Sequence, residues 1–325
     1  MGVKRTIKKS AASESVLLFQ AFEEFMEEKE AVGCSKSTLD NYKLSFELFV
    51  RFNEFTEETT TDEINQGLFF KYMNTLKLEG KAASTINHYL RDLRTFVNWC
   101  AEIDREYITP KFKVEMLKAA EEPIKLFNEE EIELLIKKPS NKDGFTTWRT
   151  WAVSNWVMGT GNRAATVCEV RVGDIDFKKR EIALRHTKNK KYSVIPLSTA
   201  LATVIKEYIR IWRADASKED FLFPNVGDAP LTTNALKHAF AKYCSDRGVE
   251  RTNIHGLRHT FATEWIKAGG SQYQLQEILG HSTLEMTRRY VKYDKESIKI
   301  GFDEHNPLDR MKEGQSRAQK IKRSK

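Results

Sequence analysis

Apolar residues recur at every third or fourth position through the N-terminal part of the chain, which is the spacing that buries one face of a helix. Such stripes fill residues 13–108 and indicate four helices. The fourth is the most regular, with Ser84 as its predicted N-cap and Ile86 and Leu90 in period. Because only short joints separate the stripes, the pattern predicts a small four-helix bundle.

The pattern changes after this bundle. Residues 109–125 hold two prolines and mixed charge, which indicates a linker, and a second domain is predicted over residues 126–303. Two β-rich runs in this domain flank a polar tip at residues 187–191, and that arrangement predicts a hairpin. Residues 304–325 are polar and basic and are interpreted as a C-terminal tail. The predicted fold class is mainly α with a small antiparallel β element.

Near the end of the second domain, short helices carry polar residues that a buried stripe does not explain. His255 and Arg258 are three apart and share a helix face away from the apolar residues. Ser271 predicts a side-chain cap for the next helix, and Gly280 predicts its end. His281 therefore lies at a tight junction between two helices, where a histidine adds nothing to a core.

Two further residues invite a functional interpretation. Tyr290 follows on the next helix at core spacing, and taken alone it is interpreted as a buried tyrosine with a solvated hydroxyl. Arg163 falls in the first turn of a helix, where the helix dipole disfavours a cation. A bound anion would explain this position, and a salt bridge to a nearby carboxylate is the alternative.

Composition narrows the class of protein and partner. The 325 residues are 40% hydrophobic and 30% charged, which is typical of globular proteins and leaves room for about two domains. A net charge of +7 favours a polyanionic partner. The four cysteines show no metal-ligand spacing, and no apolar run reaches the roughly 20 residues of a membrane span. With no signal-peptide core, the protein is expected to be cytoplasmic with reduced thiols.

These residues together resemble the tyrosine recombinases, the family of phage integrases and Xer-type enzymes. The family's His-x-x-Arg motif is present at His255 and Arg258. Its Leu-Gly-His motif ends at His281, and the tyrosine nine residues further on is Tyr290. The resemblance implies that the N-terminal bundle is a SAM-like core-binding domain and that the second domain is the mixed α/β catalytic domain of this family.

The family's other motifs fit less completely. Its Thr-Gly-x-Arg motif ends at Arg163, but Thr166 stands where the family usually has an acidic residue, which leaves open what supports the arginine. The resemblance also implies a catalytic lysine in the hairpin turn. Lys188 is the best match to this lysine, and Lys190 and Lys191 remain alternatives. Without the resemblance, these lysines would be interpreted as a solvated loop tip.

The resemblance implies a site-specific DNA recombinase that cuts and rejoins strands through a covalent 3′-phosphotyrosine. Two guanidinium groups on the phosphate would remove much of the need for a divalent ion, so neither a metal nor another cofactor is expected. His259, beside Arg258, is interpreted as structural. The implied catalytic residues are Tyr290 as nucleophile, Arg163 and Arg258 on the phosphate oxygens, His255 as base, His281 as a second donor to the phosphate, and Lys188 as acid.

The resemblance implies that the partner is double-stranded DNA with a specific recombination site, bound by a homotetramer. It also allows for an accessory DNA-bending or directionality factor as a further partner. No membrane partner is expected. The C-terminal tail has three readings: a solvated tail, a DNA contact, or a segment exchanged with a neighbouring protomer. Exposed cations of the N-terminal domain would contact DNA phosphates, with a solvated helix face as the alternative. These DNA-binding candidates are Lys77, Lys81, Arg91 and Arg94.

Three functions fit the motifs. The first is a recombinase that integrates and excises a mobile element. The second is an Xer-like dimer resolvase or a type IB-like topoisomerase with the same chemistry, which the form of the DNA site and tetramer assembly would distinguish. The third is a non-catalytic DNA-binding protein, and the presence of all six catalytic residue types argues against it.

Overall fold

The computed structural model describes residues 16–102, 104–108, 110–118, 125–185 and 193–291. The chain divides into two compact units, Met1–Glu122 and Pro123–Lys325. Helices dominate both units, and the described strands form one small antiparallel sheet in the second unit. The predicted fold class is confirmed. None of the helices in these ranges is both long enough and apolar enough to cross a bilayer.

The first unit is a bundle of four helices around aromatic side chains, as predicted. Phe22 and Phe46 stack with their ring centroids 3.7 Å apart, and Phe96 meets both rings edge-on. A short 3-10 turn, Thr61–Glu63, precedes the third helix. The helices are α1 Leu18–Ala31, α2 Lys36–Asn53, α3 Gln66–Leu78 and α4 Ala83–Cys100.

Residues 110–118, in the predicted linker, pack against this bundle. Val114 is buried in its apolar core. The side-chain amide of Asn87 accepts from the backbone N–H of Leu117 at 2.8 Å and donates to its carbonyl at 3.0 Å. These contacts make residues 110–118 part of the first unit, while residues 119–124 lie outside the described residues.

The second unit is built around helix α6, which is buried on all sides. Its three tryptophans fill the core, and each indole N–H group has a partner. Trp148 donates to the carbonyl of Ser140 at 3.2 Å, Trp151 to the carbonyl of Ile136 at 2.7 Å, and Trp156 to the side chain of Asn162 at 2.9 Å. Helices α5, α8, α9 and α10 pack against α6. The helices are α5 Glu129–Ile136, α6 Phe145–Thr160, α7 Ala164–Glu169, α8 Thr199–Trp212, α9 Thr233–Ser245, α10 Ile254–Lys267, α11 Gln272–Leu279 and α12 Glu285–Val291.

The sheet contains the predicted hairpin. Its strands run antiparallel in the order β1, β2, β3, and Ile182 lies opposite Ile195. The tip of the hairpin, with Lys188, Lys190 and Lys191, lies outside the described residues. The strands are β1 Ile175–Asp176, β2 Glu181–Leu184 and β3 Ser193–Pro196.

The turn after α6 determines where Arg163 lies. Gly161 ends the helix with φ +63°, in the left-handed region that favours glycine. A Cβ at this position would lie 2.5 Å from the side chains of both Leu279 and Phe261. Only glycine lets the chain pass this close to α10 and α11, and the turn thereby brings Arg163 to the C-terminal end of α11.

Candidate active site

Arg258 is the most buried charged residue of the site, with 2% of its surface exposed on helix α10. Its guanidinium donates to the carbonyl of Gly161 at 2.7 Å and to the carbonyl of Leu279 at 3.0 Å. A third contact, at 2.9 Å, joins it to Nε2 of His281. These bonds tie the ends of α6 and α11 to α10 and fix the guanidinium in one orientation.

Arg163 lies against the same end of α11. Its Nη1 is 3.3 Å from the carbonyl oxygen of Leu279 and 3.5 Å from that of Gly280. Carbonyls at a helix C-terminus lack partners within the helix and carry the negative end of its dipole. Among the described residues, the hydrogen-bond partners of Arg163 are therefore main-chain carbonyls, and the carboxylate considered from the sequence is not among them.

Main-chain carbonyls of Leu279 and Gly280 hold Arg163 in place here, where Thr166 stands in the position of the usual acidic residue. Thr166 and Arg163 line a small cleft together with the last turn of α11, in which Glu277 forms no salt bridge with Arg163 or Arg258 among the described contacts. A carbonyl holds a guanidinium in place without neutralising it, whereas a carboxylate would form an ion pair. Both arginines thus keep their full positive charge for a ligand.

His281 is held between two partners. Its Nε2 contacts Arg258, and its Nδ1 lies 2.8 Å from the hydroxyl of Thr287. Because a guanidinium can only donate, Nε2 is the acceptor and the proton of the neutral ring is on Nδ1. Burial, with a smaller effect of Arg258, lowers the pKa of His281 to about 4, so the ring is neutral at pH 7. To donate to a phosphate, His281 must first lose the contact with Arg258.

Tyr290 lies on α12 with 2% of its surface exposed. Its hydroxyl is 2.9 Å from Nδ1 of His259, and its ring lies nearly parallel to that of His281 with the centroids 6.4 Å apart. Burial raises the pKa of the phenol, and the nearby arginines, Arg258 first, oppose that effect. The hydroxyl is therefore protonated at neutral pH and needs a base before it can act as a nucleophile.

These side chains line one cavity of about 520 Å³ in the second unit. None of the described residues that line it is a carboxylate, so the cavity is suited to an anion with several oxygens. In the part of the chain that the structure describes, no group of three or more His, Cys, Asp or Glu side chains could hold a metal ion. The lining cations and histidines are Arg163, Arg258, Arg289, His255, His259 and His281.

The structure brings most of the predicted catalytic residues to this cavity: Arg163, His255, Arg258, His281 and Tyr290 line it, and Lys188 lies outside the described residues. Two of the titratable residues that line the cavity were not predicted as catalytic. His259, interpreted from the sequence as structural, contacts the phenol. A signal for it existed, because His255 and His259 are four apart and share a helix face. Arg289 gave no such signal.

The four predicted DNA-binding cations of the first unit are all exposed. Arg91 and Arg94, one turn apart on α4, line an open cleft of about 390 Å³ together with the side-chain amides of Asn87 and Asn98. Lys77 and Lys81 lie at and just beyond the end of α3. The cleft offers only donors and neutral acceptors among its described residues, which suits a phosphate.

Two protein-family models match the chain. The model described as phage integrase family matches residues 125–297. The model described as phage integrase, N-terminal SAM-like domain, matches residues 21–109. The first model alone covers more than half of the chain.

Curated relatives are similar over most of the chain. Tyrosine recombinase XerC of Thermodesulfovibrio yellowstonii is 27% identical over 285 residues, which are 86% of this chain and 93% of the relative. Tyrosine recombinase XerD of Listeria monocytogenes serovar 1/2a is 25% identical over 283 residues, 85% of this chain and 94% of the relative.

Solved structures show the same fold. The Tn1549 transposon integrase in complex with a circular intermediate DNA matches with a TM-score of 0.68 and 20% identity, over 85% of this chain and 95% of that one. A lambda integrase tetramer bound to a Holliday junction matches with a TM-score of 0.66 and 17% identity, over 86% of this chain and 78% of that one.

Proposed function

The chain belongs to the phage integrase family of tyrosine recombinases, and from that membership we propose that it cuts and rejoins DNA at a specific site with Tyr290 as the nucleophile. The phenol attacks a backbone phosphorus, the 5′ oxygen leaves, and a 3′-phosphotyrosine links protein and DNA. One observation carries the proposal: the hydroxyl lies beside a cavity with three arginines and, among its described lining residues, no carboxylate.

Arg163 and Arg258 bind the non-bridging oxygens of the phosphate in this scheme. A guanidinium presents parallel N–H groups that match two oxygens of a phosphate. The carbonyls of Leu279 and Gly280 orient both groups before DNA arrives, so little reorganisation is needed as charge grows on those oxygens. Removal of one preorganised donor of this kind typically slows a reaction by about 100- to 1,000-fold.

Two protons must also move. Tyr290 loses one to a histidine, which the sequence predicts to be His255, and the 5′ oxygen gains one from Lys188. His281 acts as a further donor to the phosphate. Burial, and then Arg258 and Arg163, lower the pKa of His255, so this ring is neutral at pH 7 and can accept a proton.

The covalent link conserves the energy of the phosphodiester bond. Strands can therefore be exchanged and rejoined without a nucleotide cofactor. The two guanidinium groups provide the charge stabilisation that a divalent ion provides in other phosphoryl-transfer enzymes.

DNA binding is shared between two domains in this proposal. Residues 13–108 form the core-binding domain and residues 109–125 the linker, whose residues 110–118 pack on that domain. Residues 126–303 form the catalytic domain and residues 304–325 the tail. The core-binding domain contacts phosphates of the duplex, which fixes its position but carries no sequence information. The contacting residues are Lys77, Lys81, Arg91 and Arg94.

A charge-reversal pair tests the core-binding domain. The double substitution Arg91→Glu and Arg94→Glu should weaken duplex binding more than tenfold and lower its salt dependence, since two phosphate contacts are lost. Lys43→Glu with Arg51→Glu is the matched control, because it makes the same change in charge at exposed positions on α2, beside the acidic residues of a different cleft. Equal losses of affinity in both variants, measured by salt titration, would contradict a specific role for Arg91 and Arg94.

We assign the protein to integration and excision of a mobile element, as a homotetramer on its DNA site, with an accessory DNA-bending or directionality factor as a further proposed partner. The likeness in fold to a transposon integrase and to a lambda integrase tetramer on a Holliday junction supports this assignment. Repeats at element boundaries in the DNA that flanks the gene would identify the substrate.

A second candidate is an Xer-like resolvase of DNA dimers. The observation that favours it is the similarity to curated tyrosine recombinases XerC and XerD along most of the chain. A type IB-like topoisomerase would use the same chemistry as a single protomer. Relaxation of a supercoiled plasmid that lacks any recombination site, by protein that stays monomeric on DNA, would favour the topoisomerase.

Substitution of the nucleophile tests the proposal. The full-length protein is incubated with a duplex recovered by its own binding from a randomised library, and covalent adduct is detected on a denaturing gel. Tyr290→Phe should bind this duplex with unchanged affinity and form no adduct, because only the hydroxyl is lost. Adduct formed by the Tyr290→Phe variant would exclude Tyr290 as the nucleophile.

A further inference from the structure

The phenol of Tyr290 has a hydrogen-bond partner that the family motif does not include. Nδ1 of His259 lies 2.9 Å from the Tyr290 hydroxyl, and the two residues come from different helices, α10 and α12. Both side chains line the cavity that holds the arginines. The ring of His259 is therefore in direct contact with the atom that would attack phosphorus.

His255, the base predicted from the sequence, lies one ring further away along α10. Its ring meets that of His259 edge to face, with the centroids 4.5 Å apart. The aromatic neighbours of Tyr290 in the described residues are instead His259, at 5.7 Å between centroids, and His281. By contact alone, His259 is the better placed of the two α10 histidines to accept the phenolic proton.

The other candidate for the base is His281, but both of its ring nitrogens already have hydrogen-bond partners. Its Nε2 accepts from Arg258 and its Nδ1 contacts Thr287, so neither nitrogen is free for the phenol. Burial is the main cause that lowers the pKa of His259 to about 4, and His255, Arg289 and Arg258 add to it. The ring is neutral at pH 7, and with its proton on Nε2 it leaves Nδ1 free to accept. A phosphate anion in the cavity would offset the three cations and make the ring more basic.

We infer that His259 is the catalytic base that takes the proton of Tyr290, an assignment that rests on the proposed function. In the cleavage step, the O–H bond of Tyr290 breaks and its proton moves to Nδ1 of His259. The phenolic oxygen bonds to phosphorus, and the bond from phosphorus to the 5′ oxygen breaks. The released 5′ oxygen receives a proton from the general acid, and His259 is left as an imidazolium.

Rejoining uses the same group in reverse. A 5′ hydroxyl attacks the phosphotyrosine and loses its proton to the group that served as acid. The bond from phosphorus to the phenolic oxygen breaks, and the imidazolium of His259 returns its proton to Tyr290. The cycle restores both residues without a net gain or loss of protons, as a strand exchange between equivalent ends requires.

The tautomer of His259 is the first test and needs no DNA. In protein with 15N-labelled histidine, Nδ1 of His259 should be the unprotonated nitrogen at pH 7, and its signal should shift in Tyr290→Phe, which removes the donor. A proton found on Nδ1 would overturn the assignment, because that nitrogen would then donate to the phenol rather than accept from it.

Kinetics separate a base from a group that only positions the phenol. Cleavage is mapped in the duplex recovered by binding, which is then resynthesised with a sulfur in place of the 5′ bridging oxygen at that position. A thiolate leaves without a proton, so the rate no longer depends on the general acid. His259→Asn keeps a hydrogen-bond acceptor near the position of Nδ1 but is not basic. The matched control is His238→Asn, which makes the same change at an exposed histidine on α9, outside the residues that line the cavity.

His259→Asn should form adduct about 100-fold more slowly at pH 7, and its rate should rise close to tenfold per pH unit up to pH 9 as the solvent removes the proton. The control His238→Asn should stay within about threefold of the unsubstituted protein and keep its pH profile, and His255→Gln is measured beside both variants. A His259→Asn rate within threefold of the unsubstituted protein would reduce His259 to a positioning residue. A pH-dependent loss in His255→Gln alone would make His255 the base. No adduct from the unsubstituted protein on any duplex would instead overturn the proposed function.

Discussion

At the scale of single residues, the site is defined by two arginines held by neutral acceptors. Arg163 and Arg258 share the carbonyl of Leu279, and neither has a carboxylate partner among the described residues. A carboxylate would have held them as firmly but would have cancelled the charge that a phosphate is to meet. The two differ in burial, since Arg258 is buried and Arg163 is partly exposed, and so they should differ in what they contribute to stability.

Substitution of each arginine should distinguish its contribution to catalysis, through its charge, from its contribution to the stability of the fold. Arg163→Ala is expected to abolish adduct formation while duplex affinity stays within about tenfold, because most affinity comes from other cations. Its free energy of unfolding should change by less than about 1 kcal/mol. Arg258→Met should lose activity and also about 2–4 kcal/mol of stability, because buried carbonyls of Gly161 and Leu279 lose their donor.

Adduct assays, duplex titrations and urea unfolding of both variants check this contrast. If Arg163→Ala lost duplex affinity far more than tenfold, Arg163 would be a binding anchor rather than a group that stabilises the transition state.

At the scale of elements, the site depends on two helix ends that meet. The turn at Gly161 ends α6, and Gly280 ends α11 with φ +61°. Both glycines lie in the left-handed region, but their surroundings differ. A Cβ on Gly280 would have only the Arg163 side chain near it, at 4.0 Å, whereas a Cβ on Gly161 would overlap Leu279 and Phe261.

Alanine at these two glycines should therefore have unequal effects. Gly280→Ala should lower the free energy of unfolding by about 1 kcal/mol, which is the cost of the backbone conformation alone. Gly161→Ala should lower it by about 3 kcal/mol or more, because overlap with the side chains of α10 and α11 is added. Urea unfolding of the two variants measures the difference, and equal losses would contradict the tight packing of the turn.

The helices were predictable from the sequence, but not every side-chain cap was: Asn128 does cap α5 with Glu131, whereas two other predicted caps are absent. Periodicity located α4 and α11 because each has a continuous apolar stripe. Ser84, predicted as an N-cap, lies inside α4, which starts at Ala83 after an uncapped Ala82. Ser271 does precede α11, yet its side chain makes no capping hydrogen bond. A cap depends on one rotamer, and sequence patterns do not determine it.

The same limit applies to contacts between elements. The resemblance to the tyrosine recombinases, carried by residue type and spacing, identified Arg163, His255, Arg258, His281 and Tyr290 as a set. They did not reveal that His259 meets Tyr290, because that contact requires α12 to pack on α10, thirty-one positions further along the chain. The carbonyl partners of Arg163 could not be predicted either, because every residue has a main-chain carbonyl and the sequence does not indicate which one accepts a hydrogen bond.

At the scale of the whole molecule, buried neutral histidines should make stability depend on pH. In the folded state, burial and neighbouring arginines hold the pKa of His259 and of His281 at about 4, below the usual 6.5. The unfolded chain therefore binds more protons than the folded one between these values. Stability is present above about pH 6.5 and is lost as the pH falls towards 4, since its slope follows the excess of protons on the unfolded chain.

Each of the two histidines should contribute a defined part of the pH dependence of the free energy of unfolding. Without DNA, the free energy of unfolding should fall between pH 6.5 and 4.5 by on the order of 1–3 kcal/mol for each histidine. His281→Asn should reduce the slope by up to one proton, and His259→Asn by a similar amount. Urea unfolding across this pH range measures both, and slopes identical to that of the unsubstituted protein would mean that these histidines are not held neutral.

The proposed reaction is the formation of a covalent bond between Tyr290 and a DNA phosphate without a metal ion. Its most direct test is to form adduct in buffer with excess EDTA, digest the protein and the DNA, and identify the modified peptide by mass spectrometry. We expect a nucleotide joined through its 3′ phosphate to Tyr290. A nucleotide on Tyr293 or any other residue, or adduct that forms only when a divalent ion is added, would contradict it.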